Sequence, residues 1–127
     1  MENLFDLYNQ TSGVCTDTRK IVKDCLFICL SGDNFNGNTF AQKAIELGAK
    51  FVIVDDANFL GSEKLFLVDN SLTFLQELAK SHRNKFSIPI IGITGSNGKT
   101  SSKELIHSVL LTKFKTSATV ENLNNHI

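Results

Sequence analysis

Lys99 and Thr100 close a run, Pro89-Ile90-Ile91-Gly92-Ile93-Thr94-Gly95-Ser96-Asn97-Gly98-Lys99-Thr100, whose residue types could hold a chain of phosphates. An apolar stretch enters a glycine-rich turn, and a helical pattern leaves it. Glycine at 95 and 98 lets backbone N–H groups turn inward with no Cβ in the way. With the N-terminus of the next helix, those groups would form a positive cradle for phosphate oxygens. Lys99 would reach the outer phosphates, and the Thr100 hydroxyl would bind Mg²⁺. Ser96, Asn97 and Ser101 add polar groups at the same turn, although Ser101 and Ser102 read equally well as helix-start residues. The spacing departs from G-x-x-x-x-G-K-[ST], which puts its first glycine at Ile93; here it is Gly92, one residue early. The competing reading is a strand-turn-helix corner whose glycines serve geometry alone.

The elements that would position this turn follow from periodicity. Residues 2–9 read as a short helix with Leu4, Phe5 and Tyr8 inward. An extended segment starts at Val14, and Cys25-Leu26-Phe27-Ile28-Cys29-Leu30 reads as a central strand covered on both faces. A polar loop, Ser31 to Asn38, precedes a helix capped by Asn38 or Thr39, with Phe40, Ala41, Ala44 and Ile45 inward and Gly48 at its end. Phe51–Val54 and Leu65–Val68 read as further strands. A helix capped by Asn70 or Ser71 would place Leu72, Leu75, Leu78, Ala79 and His82 on one stripe, with His82 at its boundary. After a linker near residue 85, the sheet is expected to resume at Ile88. The helix after the glycine turn would turn Leu105, Ile106, Val109 and Leu110 inward, and Lys115 to Val120 would form the next strand. Alternating strands and helices predict a parallel α/β fold, with domains at 1–84 and 85–127.

Composition narrows the function classes. The 127 residues are 42% hydrophobic and 20% charged, so a packed core is expected. The 13 basic and 13 acidic side chains cancel, and neither half has the basic density of a nucleic-acid binder. Cys25 and Cys29 fall on one face of their strand about 13 Å apart, too far for a disulfide, and read with Cys15 as reduced buried thiols. The N-terminus has no basic region followed by an apolar core, and no apolar run approaches ~20 residues. No signal peptide and no membrane insertion are expected, and the location expected is the cytoplasm.

Three stretches together resemble the Mur ligase family. Gly92 to Thr100 is similar to its ATP loop, in which the extra residue is normal. Thr16-Asp17-Thr18-Arg19 followed by Asp24-Cys-Leu-Phe-Ile-Cys-Leu-Ser-Gly32 resembles its N-terminal signature. Lys103-Glu104 and Asn122-Leu-Asn-Asn-His-Ile127 look like the D-alanyl-D-alanine-adding branch. The resemblance implies a small N-terminal Mur ligase-type α/β domain, then the opening β-P-loop-α-β unit of an incomplete ATP-binding domain, and so a fragment of a longer enzyme. It implies an ATP- and Mg²⁺-dependent amide ligase of peptidoglycan synthesis, joining D-Ala-D-Ala to UDP-N-acetylmuramoyl-tripeptide through an acyl phosphate. On this resemblance Thr18, Arg19, Asp33, Asn34 and Phe35 line the uridine-diphosphate pocket. Lys99 becomes the catalytic candidate, acting electrostatically on phosphoryl charge, and Asn122 and Asn125 belong to an active-site asparagine run.

Plainer readings stand beside these. Asp17-Thr18-Arg19 would also suit a strand-end turn with an Arg–Asp pair, and the 33–38 loop and the asparagine run would suit polar turns. Other functions left open are a non-catalytic nucleotide-sugar module, an amino-acid-adding Mur ligase, folylpolyglutamate synthase and a small P-loop kinase. Incomplete domain anatomy after residue 85 also predicts self-association, or disorder of the last ~40 residues.

Overall fold

A parallel strand flanked by neighbours buries both faces, so its sequence is a continuous apolar run. Cys25 to Leu30 is such a run. In the computed structural model, which describes residues 4–120, β2 (Leu26–Ile28) is interior to a four-stranded sheet. β1 (Val14–Cys15), β2, β3 (Phe51–Val54) and β4 (Leu65–Leu67) lie in that spatial order, and every pairing is parallel. Leu26 is in register with Val14 on one side and with Phe51 on the other.

Alternation then sorts the strand side chains into two cores. Cys25, Phe27, Cys29, Val52, Val54 and Leu65 pack with Ala41, Ala44 and Ala49 from and beside helix α2 (Ala41–Glu46). Leu26, Ile28 and Ile53 face the other way, against Phe74 and Leu78 of α3 (Ser71–Asn84). Helix α1 (Leu4–Tyr8) adds Leu4, Phe5 and Tyr8 to that second core, as its spacing predicts. Each fully buried Leu, Ile or Val contributes roughly 1.5–3 kcal/mol relative to exposure.

Two expectations shift. The buried stripe of α3 is Ser71, Phe74 and Leu78, with Leu72, Leu75 and His82 half-buried and Ala79 exposed. Phe74 and Leu78 pack against the sheet, and Ala79, one residue on, falls off that stripe. The helix before β3 is entered through a 3-10 turn, Gly37–Phe40, which Asn36 caps by accepting the Asn38 N–H. Asn38 itself is buried, and Phe40 lies outside the α-helical stripe.

The chain divides into two compact units at Phe86 and Ser87. In the second, α4 (Lys99–Leu111) forms as expected, with Gly98 at its N-cap in the left-handed region at φ 75°. The strands expected from Ile88 and over Lys115–Val120 do not form. Both segments lack strand pairing among the described residues, and a strand exists only where a neighbour takes its hydrogen bonds. The inner face expected for α4 is overturned at three of its four positions and kept at Leu110. Leu105, Ile106 and Val109 are exposed, while Lys99, Lys103, His107 and Leu110 are the partly covered positions. Lys103 Nζ donates to the Thr119 carbonyl at 2.7 Å, which draws residues 115–120 toward this more polar side. Among the described residues, no helix is long and apolar enough to cross a membrane.

Candidate functional site

In open parallel sheets, ligands bind beyond the carboxyl ends of the strands. Here Thr16–Arg19 leave the carboxyl end of β1, and Ser31–Phe40 leave that of β2 beside it. Between them lies an open cleft of about 520 Å³, lined by Thr16, Asp17, Thr18, Arg19, Phe35 and Phe40. Of the residues expected at a uridine-diphosphate pocket, Thr18, Arg19 and Phe35 are brought together. Asp33 and Asn34 are exposed within the turn closed by the Gly32–Phe35 bridge and do not line the cleft.

Asp17 organises the polar wall. Its carboxylate caps the 3-10 turn Thr18–Lys20 by accepting the Arg19 N–H at 2.9 Å. The Arg19 guanidinium grips the same carboxylate through Nε and Nη2 at 2.7–3.1 Å. The side-chain bond from Arg19, then its backbone N–H, holds Asp17 down to about 2. The Arg–Asp turn therefore exists and is itself part of the cleft wall. Phe35 and Phe40 form the other wall, with ring centroids 5.6 Å apart and planes 23° from parallel. Phe40 was the residue that sequence reasoning missed here, because the helical period assigned it to the core; its spacing of five from Phe35 across Gly37 was the available signal.

A partly buried polar cluster centred on Asn38 joins the segment carrying Phe35 and Phe40 to the end of β3. The Asn38 amide donates to Asp55 Oδ1 at 2.8 Å and to Asn36 Oδ1 at 2.9 Å, and its oxygen accepts the Asp55 N–H. Asp55 Oδ2 in turn accepts the Ser71 N–H at 3.0 Å. Burial alone would raise the Asp55 pKa; the bonds from Asn38 and Ser71 outweigh it, leaving the carboxyl below its ordinary range. Gly37 runs so close to β2's exit that a Cβ there would lie 2.0 Å from the Leu30 carbonyl oxygen. Cys15, Cys25 and Cys29 are free thiols; burial pushes Cys25 up and, with the charge of Asp55, pushes Cys29 up to about 12, so these two are poor nucleophiles.

The glycine turn of the second unit has the backbone its sequence suggests. Gly95 at φ 152° and Gly98 at φ 75° both lie where side chains are disfavoured. Lys99 Nζ folds back onto the Gly95 carbonyl, so its ammonium sits at the turn. Ser96, Asn97, Thr100 and Ser101 are exposed around it. The first-turn N–H groups of α4 have no preceding helical carbonyls. An ammonium, hydroxyls and a helix start are a donor set suited to polyphosphate and a hard cation. Asn122 and Asn125 lie outside the described residues. Among the described residues, no group of three His, Cys, Asp or Glu side chains could hold a metal ion by itself.

Comparison with known proteins matches residues 10–83 to the model described as "Mur ligase family, catalytic domain" and residues 93–127 to the "Mur ligase middle domain". The UDP-N-acetylmuramoyl-tripeptide--D-alanyl-D-alanine ligase of Bacillus subtilis (strain 168) is 44% identical over 124 residues, covering 94% of this chain and 27% of the relative. The Escherichia coli (strain K12) protein of the same description is 38% identical, covering 90% and 25%. A crystal structure of MurF from Acinetobacter baumannii superposes with a TM-score of 0.81 at 25% identity, over 97% of this chain and 30% of that one. The MurF ligase from Thermotoga maritima in complex with ADP gives 0.70 at 30% identity, over 85% and 25%. This chain thus spans about a quarter of the length of these relatives. The carboxyl-end cleft and the glycine turn ahead of α4 fall in two segments that match successive domain models of one family, and the chain belongs to the Mur ligase family.

Proposed function

We propose that this chain is the amino-terminal part of an ATP-dependent amide ligase that adds D-Ala-D-Ala to UDP-N-acetylmuramoyl-tripeptide through an acyl phosphate. What carries the reading is the 124-residue match to a ligase named for that reaction, which runs through both the cleft and the glycine turn. In this proposal residues 1–84 hold the uridine-diphosphate end of the muramoyl substrate, and residues 85–127 begin the ATP-binding domain. The reaction would take place in the cytoplasm, where its nucleotide substrates are made.

The cleft chemistry supports the first assignment. Thr16 and Thr18 hydroxyls can read polar edges, Phe35 can pack on a ring, and Arg19 can share its charge with phosphate oxygens. Asp17 tempers that charge, since a carboxylate already bound to the guanidinium lowers its pull on an anion. At the glycine turn, Gly95, Ser96, Asn97, Gly98, Thr100 and Ser101 would hold ATP phosphates, with Thr100 ligating Mg²⁺. Bound there, the metal would neutralise phosphate charge during transfer. Lys99 would leave the Gly95 carbonyl for the outer phosphates and place its positive charge where phosphoryl charge develops.

Calorimetric titration with UDP-N-acetylmuramoyl-tripeptide, with UDP and Mg-ATP as separate ligands, tests the division. Saturable muramoyl-nucleotide binding, lost in Thr18→Ala and Phe35→Ala but kept in Lys99→Ala, is the expected outcome. Binding of ATP with none of either uridine nucleotide would sink the cleft assignment.

A further inference from the structure

Asn38 is 3% exposed, and a buried amide is tolerated only when its bonds are made. Both ends of this one are used. Its Nδ2 donates to Asp55 Oδ1 and Asn36 Oδ1, and its Oδ1 accepts the Asp55 N–H. Asp55 passes the connection on to the Ser71 N–H at the start of α3. The segment thus anchored carries Phe35 and Phe40, of which Phe35 is 56% exposed, so apolar burial alone holds it weakly. Asn36 and Ser31 add local bonds to the same turn, the Ser31 hydroxyl accepting the Gly37 N–H at 3.1 Å. A directional amide–carboxylate pair admits one setting of the turn, where an apolar contact of equal volume would admit several.

We propose that Asn38 and Asp55 are positioning residues for the aromatic wall of the cleft, fixing the Phe35–Phe40 stack opposite Thr16–Arg19 and so setting the affinity for a nucleoside diphosphate. The ligand half of this statement rests on the uridine-diphosphate reading above; the positioning half does not. Neither side chain lines the cleft, so both act through the rings.

The test compares Asn38→Ala, Asp55→Ala and their double variant with Leu78→Ala, which empties the core on the opposite face of the sheet. All are measured at a temperature where circular dichroism shows them folded. Asp55→Asn, which keeps the volume and one acceptor oxygen, replaces any alanine variant that fails to fold. The readouts are nuclear Overhauser contacts between the Phe35 and Phe40 rings without ligand, and calorimetric affinity for UDP. Both single variants should lose the ring contacts and bind UDP about tenfold more weakly or worse. The double variant should be no weaker than the worse single one, because the two residues act as a pair. Leu78→Ala should keep both signals despite lost stability. Retained ring contacts and wild-type affinity in the folded variants would overturn the proposal, as would loss of both signals in Leu78→Ala. If the wild-type chain does not bind UDP, the nucleotide reading falls, and the ring contacts alone decide whether the pair positions the wall.

Discussion

Residues 4–86 and residues 87–120 carry similar apolar patterns and use them in opposite ways. In the first unit Leu26, Ile28, Val52, Ile53 and Val54 are wholly buried, each between a neighbouring strand and a helix. In the second, Ile90, Leu105 and Val109 are each about two-thirds exposed (65%, 69% and 68%) although they sit in equally regular patterns. Periodicity states which side chains would share a face. It does not state that a partner is at hand, and burial energy is gained only against one. The first unit contains its own partners: a four-stranded sheet with helices on both faces.

The sharpest way to break this contrast is to remove volume where it is buried. Ile53→Ala should cost about 2–5 kcal/mol in chemical denaturation, through lost transfer energy and the cavity left beside Phe74 and Leu78. A cost below about 1 kcal/mol would mean that the first unit is no better packed than the second. Adding volume at the cleft loop should be of similar size. Gly37→Ala drives a Cβ into the Leu30 carbonyl, a backbone group that cannot rotate away, and should cost about 3 kcal/mol with weakened UDP binding. Wild-type stability in that variant would show that the turn has room that its close approach to β2 denies.

The same contrast explains how much could be read in advance. β2, β3, β4 and both long helices are legible because each is a periodic or continuous apolar segment bounded by polar turns. The two cores follow from strand alternation. Phe40 and Ala79 depart from expectation because helical phase does not run through a 3-10 turn in one case, and because the buried stripe of α3 centres on Ser71, Phe74 and Leu78, which leaves Ala79 off it, in the other. At the site, Thr18, Arg19 and Phe35 were legible as chemistry, and the glycine turn as backbone geometry. The Asn38–Asp55 pair was not, since nothing in the sequence signals that two polar side chains seventeen positions apart meet in a partly buried bond. Segments 88–93 and 115–120 read as strands because propensity is local while pairing is not.

Acid should separate the units next. Asp17 is held near 2 against an ordinary value of 3.8, and Asp55 is also lowered. Carboxyls depressed in the folded state add stability above their unfolded pKa, and that stability is lost as pH falls through the folded value. Stability of the first unit should therefore decline between about pH 4 and pH 2. Asp55→Asn should start lower and show a shallower decline, since one of the protons taken up on unfolding is gone. Hydrogen exchange at Leu26, Ile28 and Ile53 amides across that range reads the first unit specifically. An unchanged slope in Asp55→Asn would mean that its carboxylate is not bound as the structure has it.

The smallest effect is expected on the exposed face of α4. Val109→Ala removes a branched side chain that has little packing to lose, and alanine is the better helix former by a few tenths of a kcal/mol. Amide exchange within Lys99–Leu111 should be unchanged or slightly slower, with any loss below about 0.5 kcal/mol. The comparison with Ile53→Ala is then informative, because both substitutions trim a β-branched aliphatic residue to alanine, and the one carbon more lost at Ile53 is small beside the expected gap. A loss above about 1 kcal/mol at Val109, or protection that grows with protein concentration, would mean that this face is covered in solution. The two units would then differ in where the covering surface comes from, rather than in whether their apolar faces are buried.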